Sequence, residues 1–154
     1  MTFYQDGPEL KNQFVSDELL QSFLKWKLPE SIYSEIESDL KQFGQRASDE
    51  FLKLAQESEK FPPELVSHTP WGKRQDVIKV SKAWDELKKI SAEEGLVAIG
   101  YERKQGEYSR LYQFAKLYLF HASSAFFTCP LAMTDGAARV LEIHGASKLK
   151  DSAF

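Results

Sequence analysis

Apolar positions along the chain recur mostly at helical spacing. The clearest run is Ile32, Ile36, Leu40, Phe43, Ala47, Phe51 and Leu54. Its steps of three and four keep one apolar stripe on a single helix face for about six turns. Pro29 suits a first helical position, and Glu30 complements the positive end of the helix dipole. Gly44, inside this run, permits a close approach by a neighbouring element. Ahead of it, residues 1–15 read as an irregular lead-in with Gly7-Pro8 as a turn. Ser16-Asp17-Glu18 then supplies a cap and an acidic first turn for a short helix carrying Leu19, Leu20, Phe23 and Leu24, which ends before Pro29.

Beyond the long helix, residues 60–71 read as a loop built on Pro62-Pro63 and Pro70, and the alternation in residues 75–80 is too short to assign. Ser81 caps a helix through about Glu94, with Ala83, Leu87 and Ile90 inward and Gly95 as its stop. Residues 97–99 form a short buried connector and residues 104–106 a turn. A second long helix is predicted over residues 107–127, with Leu111, Ala115, Tyr118, Ala122 and Phe126 at helical spacing. Its first half has a polar face and its second half has none, so it should begin at the surface and finish buried. A third helix, from near Pro130 to Gly145, carries Met133, Ala137, Val140 and Leu141. The sum is an all-α, five- to six-helix bundle, with residues 16–154 as a single helical domain.

The charge pattern singles out one place. Residues 117–134 contain no Asp, Glu, Lys or Arg, although 28% of the 154 residues are charged. A membrane span needs about 20 predominantly apolar residues. This stretch holds His121, Ser123, Ser124 and Thr128 and is interrupted by Pro130, so it reads as the inward ends of two helices. Twenty basic and 23 acidic residues give a net charge of −3, without the basic bias of a nucleic-acid-binding domain. One cysteine excludes an internal disulfide framework, and His68, His121 and His144 lack metal-ligand spacing. The N-terminal residues lack the order of a signal peptide, which makes a cytoplasmic location the expectation.

Single residues carry little chemistry. Cys129 lies at a helix start, but with His121 about two turns back on another helix it reads as a buried, inert thiol rather than a nucleophile. His121 and His144 read as hydrogen-bonded core or boundary residues. Asp135 is explained by the dipole of a helix first turn, and Glu142 as a solvated carboxylate. Phe114, Tyr118, Phe120, Phe126 and Phe127 read as core, while Lys73-Arg74 and residues 148–150 read as solvated surface. The unusual feature is the junction at residues 123–136. Its small residues Ser123, Ser124 and Ala125 adjoin Phe126 and Phe127, and free N–H groups are expected where Thr128 or Cys129 caps the next helix. Such a junction either packs as plain core or admits an apolar ligand and orients its polar end.

Residues 108–145, YSRLYQFAKLYLFHASSAFFTCPLAMTDGAARVLEIHG, resemble the acyl-CoA dehydrogenase superfamily and are most similar to its AidB-like branch, the adaptive or alkylation response proteins. Residues 128–138, TCPLAMTDGAA, carry the most specific part. The resemblance implies an N-terminal helical domain that precedes a β-barrel domain and a C-terminal four-helix bundle in enzymes that form homotetramers. In such enzymes FAD lies between the later domains, and a carboxylate base acts with it on acyl-CoA. It also implies that Phe126, Phe127, Thr128, Pro130, Met133 and Thr134 wall the acyl and flavin site. No flavin loop, barrel or catalytic base is seen in these residues. The expectation is therefore a chain inactive by itself, whose partners are the remaining dehydrogenase domains or a complementary chain. Two other readings stay open: a non-enzymatic interaction module, without a concave opening at the junction, and a small lipid carrier, in which the junction lines a closed cavity.

Overall fold

The computed structural model describes residues 4–145. The chain is mostly helical, as predicted. Helix α1 (Glu18–Lys27) is capped by Asp17, whose side chain accepts from the Leu20 N–H. Helix α2 (Glu30–Arg46) runs through a π turn (Ala47–Phe51) into α3 (Leu52–Lys60). Pro29 is the cap of α2 and not its first helical residue. The π turn has a cause in the sequence. The buried positions Phe43, Ala47, Phe51 and Ala55 are separated by three successive steps of four, and each such step overshoots a straight α-helix by ~40°. A locally wider turn absorbs the excess and keeps the stripe on one face.

The core is centred on a ring cluster. Phe51 stacks edge-on against Phe43 and Phe120, with centroids 5.1 and 5.3 Å away, and all three are buried. Phe14 is equally buried, so the end of the lead-in belongs to the core. Gly44 makes this fit: a Cβ there would lie 2.6 Å from the Phe14 backbone nitrogen, and the Gln13 N–H donates to the Gly44 carbonyl. The close approach expected at Gly44 is thus made by the lead-in.

Residues 60–71 are not all loop. Strand β1 (Glu64–His68) pairs antiparallel with β2 (Arg74–Lys79), in a register that sets Leu65 opposite Ile78 and Val66 opposite Val77. The proline signals marked the flanks of β1 and obscured the strand between them. The hairpin stands away from the helices with nearly all its side chains exposed, Lys73 and Arg74 among them as expected. Residues 148–150 lie outside the described residues.

Helix α4 (Lys82–Glu93) begins at the Ser81 cap, whose hydroxyl accepts from the Trp84 N–H, and stops at Gly95 with φ of 61°. A short helix, α5 (Ile99–Glu102), precedes α6 (Ser109–His121), which packs on α2 and α5. The predicted helix over residues 107–127 therefore ends six residues early, at His121, and α7 (Thr128–His144) follows. Gly100 sits where α5 meets α6. A Cβ there would fall 2.3 Å from Gln113 Oε1 and 2.8 Å from an Arg110 guanidinium nitrogen. Gly100→Ala is expected to cost about 1–3 kcal/mol by overpacking, read as a lower denaturant midpoint with an unchanged slope.

A polar network lies beside the ring cluster. The Lys116 ammonium is 2.6 Å from Glu94 and 3.1 Å from Asp39, with its side chain only 4% exposed. It also lies 4.7 Å from the centroid of Phe43. Arg46 pairs with Glu94 from the other side, and the Tyr112 hydroxyl donates to Asp39.

Candidate functional site: the elbow between α6 and α7

Helix α6 stops because the chain turns sharply after it. Ser123 and Ser124 are buried, and the Ser124 hydroxyl donates to the His121 carbonyl. Ala125 and Phe126 then adopt φ of 46° and 70°, a left-handed conformation that is unfavourable for a residue with a bulky side chain. This reversal separates two adjacent aromatics. Phe127 goes inward, buried against the Trp84 ring at 4.9 Å, while Phe126 goes outward and is 70% exposed. Thr128 Oγ1 is 2.7 Å from His121 Nδ1, joining the ends of the two helices.

The start of α7 offers fewer free donors than expected of it. Phe127 is its cap and makes no side-chain capping bond. The Cys129 and Leu131 N–H groups donate to the Phe126 and Phe127 carbonyls, and Pro130 has no N–H.

Helix α7 is amphipathic in the reverse of the expected sense. Leu131, Asp135, Ala138 and Glu142, at steps of four, three and four, form the seam facing the body, and Leu131 is the one buried residue of the helix. Met133, Ala137, Val140 and Ile143 point away from it. Met133 is 71% exposed, which corrects the reading of Met133, Ala137 and Val140 as an inward stripe.

Polar bonds hold the seam. An Arg110 nitrogen lies 2.7 and 2.9 Å from the two oxygens of Asp135. The Tyr101 hydroxyl is 2.7 Å from the Asp135 carboxylate and 2.6 Å from its carbonyl. Asp135 is thus a partnered carboxylate in the second turn, not a first-turn dipole residue. Burial, and next the Asp135 carboxylate, raise the Tyr101 hydroxyl above its ordinary pKa, so it remains a donor. Glu142 is likewise paired, with Arg103 and Arg139, and is not a free solvated carboxylate. These bonds, first that of Arg103, hold its pKa below the usual value. A depressed carboxylate pKa contributes stability that is present above the ordinary value and lost as pH falls through the lowered one. The last turn of α7 is therefore expected to keep its amide protection at pH 5 and lose it in more acid solution, as hydrogen exchange across an acid series would record.

Open clefts flank the seam. Cleft A, about 670 Å3, lies between α7 and α4–α5 and is lined by Ala92, Val97, Tyr101, Phe127, Pro130 and Thr134 among others, with Lys88 its one Lys or Arg. Cleft B, about 790 Å3, lies between α7 and α6 and is lined by Phe114, Tyr118, His121, Phe126, Thr128 and Cys129 among others. Both volumes fall in the ~300–1,000 Å3 range of ligand sites. The six wall residues are not brought together. Phe127, Pro130 and Thr134 line cleft A, Phe126 and Thr128 line cleft B, and Met133 lines neither. Cys129, His121 and His144 are exposed, against expectation, as are Phe114, Tyr118 and Phe126; Phe120 and Phe127 are core.

Sequence reasoning missed Tyr101 and Lys88, and it placed Arg110 on the polar face of its helix without finding its pairing with Asp135. The signal for Arg110 was the position of Asp135, the first charge after the uncharged run: a charge bordering apolar sequence needs a partner. Among the described residues the lining of cleft B contains Asp17 and Asp135 and no Lys or Arg, so no cationic side chain there faces an anionic group. Among the described residues no cluster of His, Cys, Asp or Glu could hold a metal ion, and no helix is long and apolar enough to cross a membrane.

The structure is thus a helical domain with the apolar face of α7 turned outward and an open cleft on each side of that helix. The family model of the adaptive response protein AidB N-terminal domain matches residues 7–152, and the chain belongs to this family. It is 41% identical to acyl-CoA dehydrogenase family member 11 of Caenorhabditis elegans, over 98% of this chain and 25% of that protein. A solved structure, Bd2924 in its apo-form, is 51% identical and superposes with a TM-score of 0.94 over 97% of this chain and 30% of that one. The chain is thus an acyl-CoA dehydrogenase-family N-terminal domain that spans between a quarter and a third of the length of these relatives.

Proposed function

We propose that these residues form one wall of the acyl and flavin site of an AidB-like, FAD-dependent acyl-CoA dehydrogenase, and that the wall is the elbow between α6 and α7. The observation that carries this reading is the reversed amphipathicity of α7: its carboxylates face the body, and Met133, Val140 and Ile143 face out. A helix exposing that much apolar surface is one whose other half is supplied elsewhere. Phe127, Pro130 and Thr134 offer apolar contact on one side of α7 and Phe126 and Thr128 on the other, while Met133 meets the covering polypeptide. Flavin supplies the redox chemistry when bound. The residues here exclude water and orient an acyl chain, and in this reading the flavin and the catalytic base are held by further polypeptide.

The open form of both clefts favours this reading over a closed lipid carrier. An interaction module is favoured only so far as α7 itself is a docking face. Titration of the isolated 154-residue chain with FAD tests the division of labour. No saturable binding at micromolar flavin is expected, and tight binding by this chain alone would contradict it.

A further inference from the structure

We propose that α7 is a movable partition, so that the two clefts are coupled in opposite senses: what widens cleft A narrows cleft B. This deepens the wall reading by adding a regulation to the same site, and it rests on that reading for its functional consequence.

The geometry has three parts. Leu131 lines both clefts, so one side chain is a shared wall. It is also the sole buried residue of a seventeen-residue helix, so little apolar packing fixes the lean of α7. What holds the helix instead is a row of directional bonds along its seam, Asp135 to Arg110 and Tyr101 and Glu142 to Arg103. Bonds on one line resist sliding more than they resist rocking about that line. The turn at Ala125 and Phe126 makes the rocking axis continuous with the elbow. It sends Phe127 to the cleft A side, where Trp84 anchors its ring as a pivot, and the exposed Phe126 to the cleft B side, so a tilt of α7 about that pivot moves Leu131 toward one cleft and away from the other. A group lodged in either cleft therefore disfavours occupation of the other, without any direct contact between occupants.

The test needs no flavin or acyl group, so its failure would leave the wall reading standing. Ala92 and Ala122 are exposed residues lining clefts A and B respectively, on the sides opposite α7. Ala92→Trp and Ala122→Trp place a wedge in one cleft each, and amide shifts of the 15N-labelled chain report where the structure responds. The expected result is reciprocal. The Ala92→Trp wedge displaces the amides of Phe114 and Tyr118 across α7, and the Ala122→Trp wedge displaces those of Ser91 and Val97. Adding Asp135→Asn, which weakens the latch, enlarges both cross-cleft responses at least twofold. Shifts confined to the wedged cleft in both variants would overturn the proposal. If one wedge unfolds the chain, the other decides it alone, and melting curves identify that case.

Discussion

Phe120→Ala is expected to remove about 3–5 kcal/mol of stability, with a fall in Tm of about 10 °C or more. Phe120 is fully buried on α6 and closes the ring cluster with Phe51 at 5.3 Å and Phe43 at 6.3 Å. Truncation removes the transfer energy of the ring and leaves a void that α2, its π turn and α6 cannot fill without moving. Because the elbow begins just after Phe120, the same substitution is expected to raise hydrogen exchange at residues 123–127 above the rise in the α4 helix. Urea unfolding of the two proteins, monitored by far-UV circular dichroism, measures the first effect. A loss under 1 kcal/mol would mean that the ring cluster is not the centre of the core.

Glu94→Ala is expected to cost about 3 kcal/mol, since breaking a buried ion pair strands the remaining charge. Glu94 lies between Lys116 and Arg46, and Lys116 has almost no access to water. Asp39, at 3.1 Å, softens the loss but does not replace the closer partner. Lys116→Met should be less damaging. It removes the buried charge and keeps most of the volume, while Glu94 retains Arg46 and Asp39 retains the Tyr112 hydroxyl. The order of the two midpoints is the informative result, because a merely steric role for Lys116 would reverse it.

The parts of the fold that were legible share one property: their determinants are local. The stripe from Ile36 to Phe51, the Ser81 cap and the Gly95 stop each depend on residues a few positions apart. The misread parts depend on partners distant in sequence. Asp135 read as a dipole residue because its partners, Arg110 and Tyr101, come from other helices. Gly44 was legible as a close contact, but the Phe14 segment that makes the contact was not. The hairpin was obscured because Pro62, Pro63 and Pro70 are turn signals and strand β1 between them is only five residues long. Helix α7 is the instructive case. Periodicity shows that Met133, Ala137 and Val140 share a face, but it cannot say whether this chain or another surface covers that face. The uncharged run located the elbow correctly, whereas the division of its residues between two clefts required the left-handed turn at Ala125 and Phe126.

That outward face also gives the most direct measurement of the central claim. Met133→Glu puts a charge on an exposed position of α7, so the melting of the 154-residue chain should change by no more than about 0.5 kcal/mol. If α7 is a wall covered by further polypeptide, the same charge at the aligned position of the longer relative, acyl-CoA dehydrogenase family member 11, lies in a buried interface. There the substitution is expected to cost at least about 2 kcal/mol of stability. Unaltered stability of the longer protein, or unfolding of the 154-residue chain, would contradict that reading.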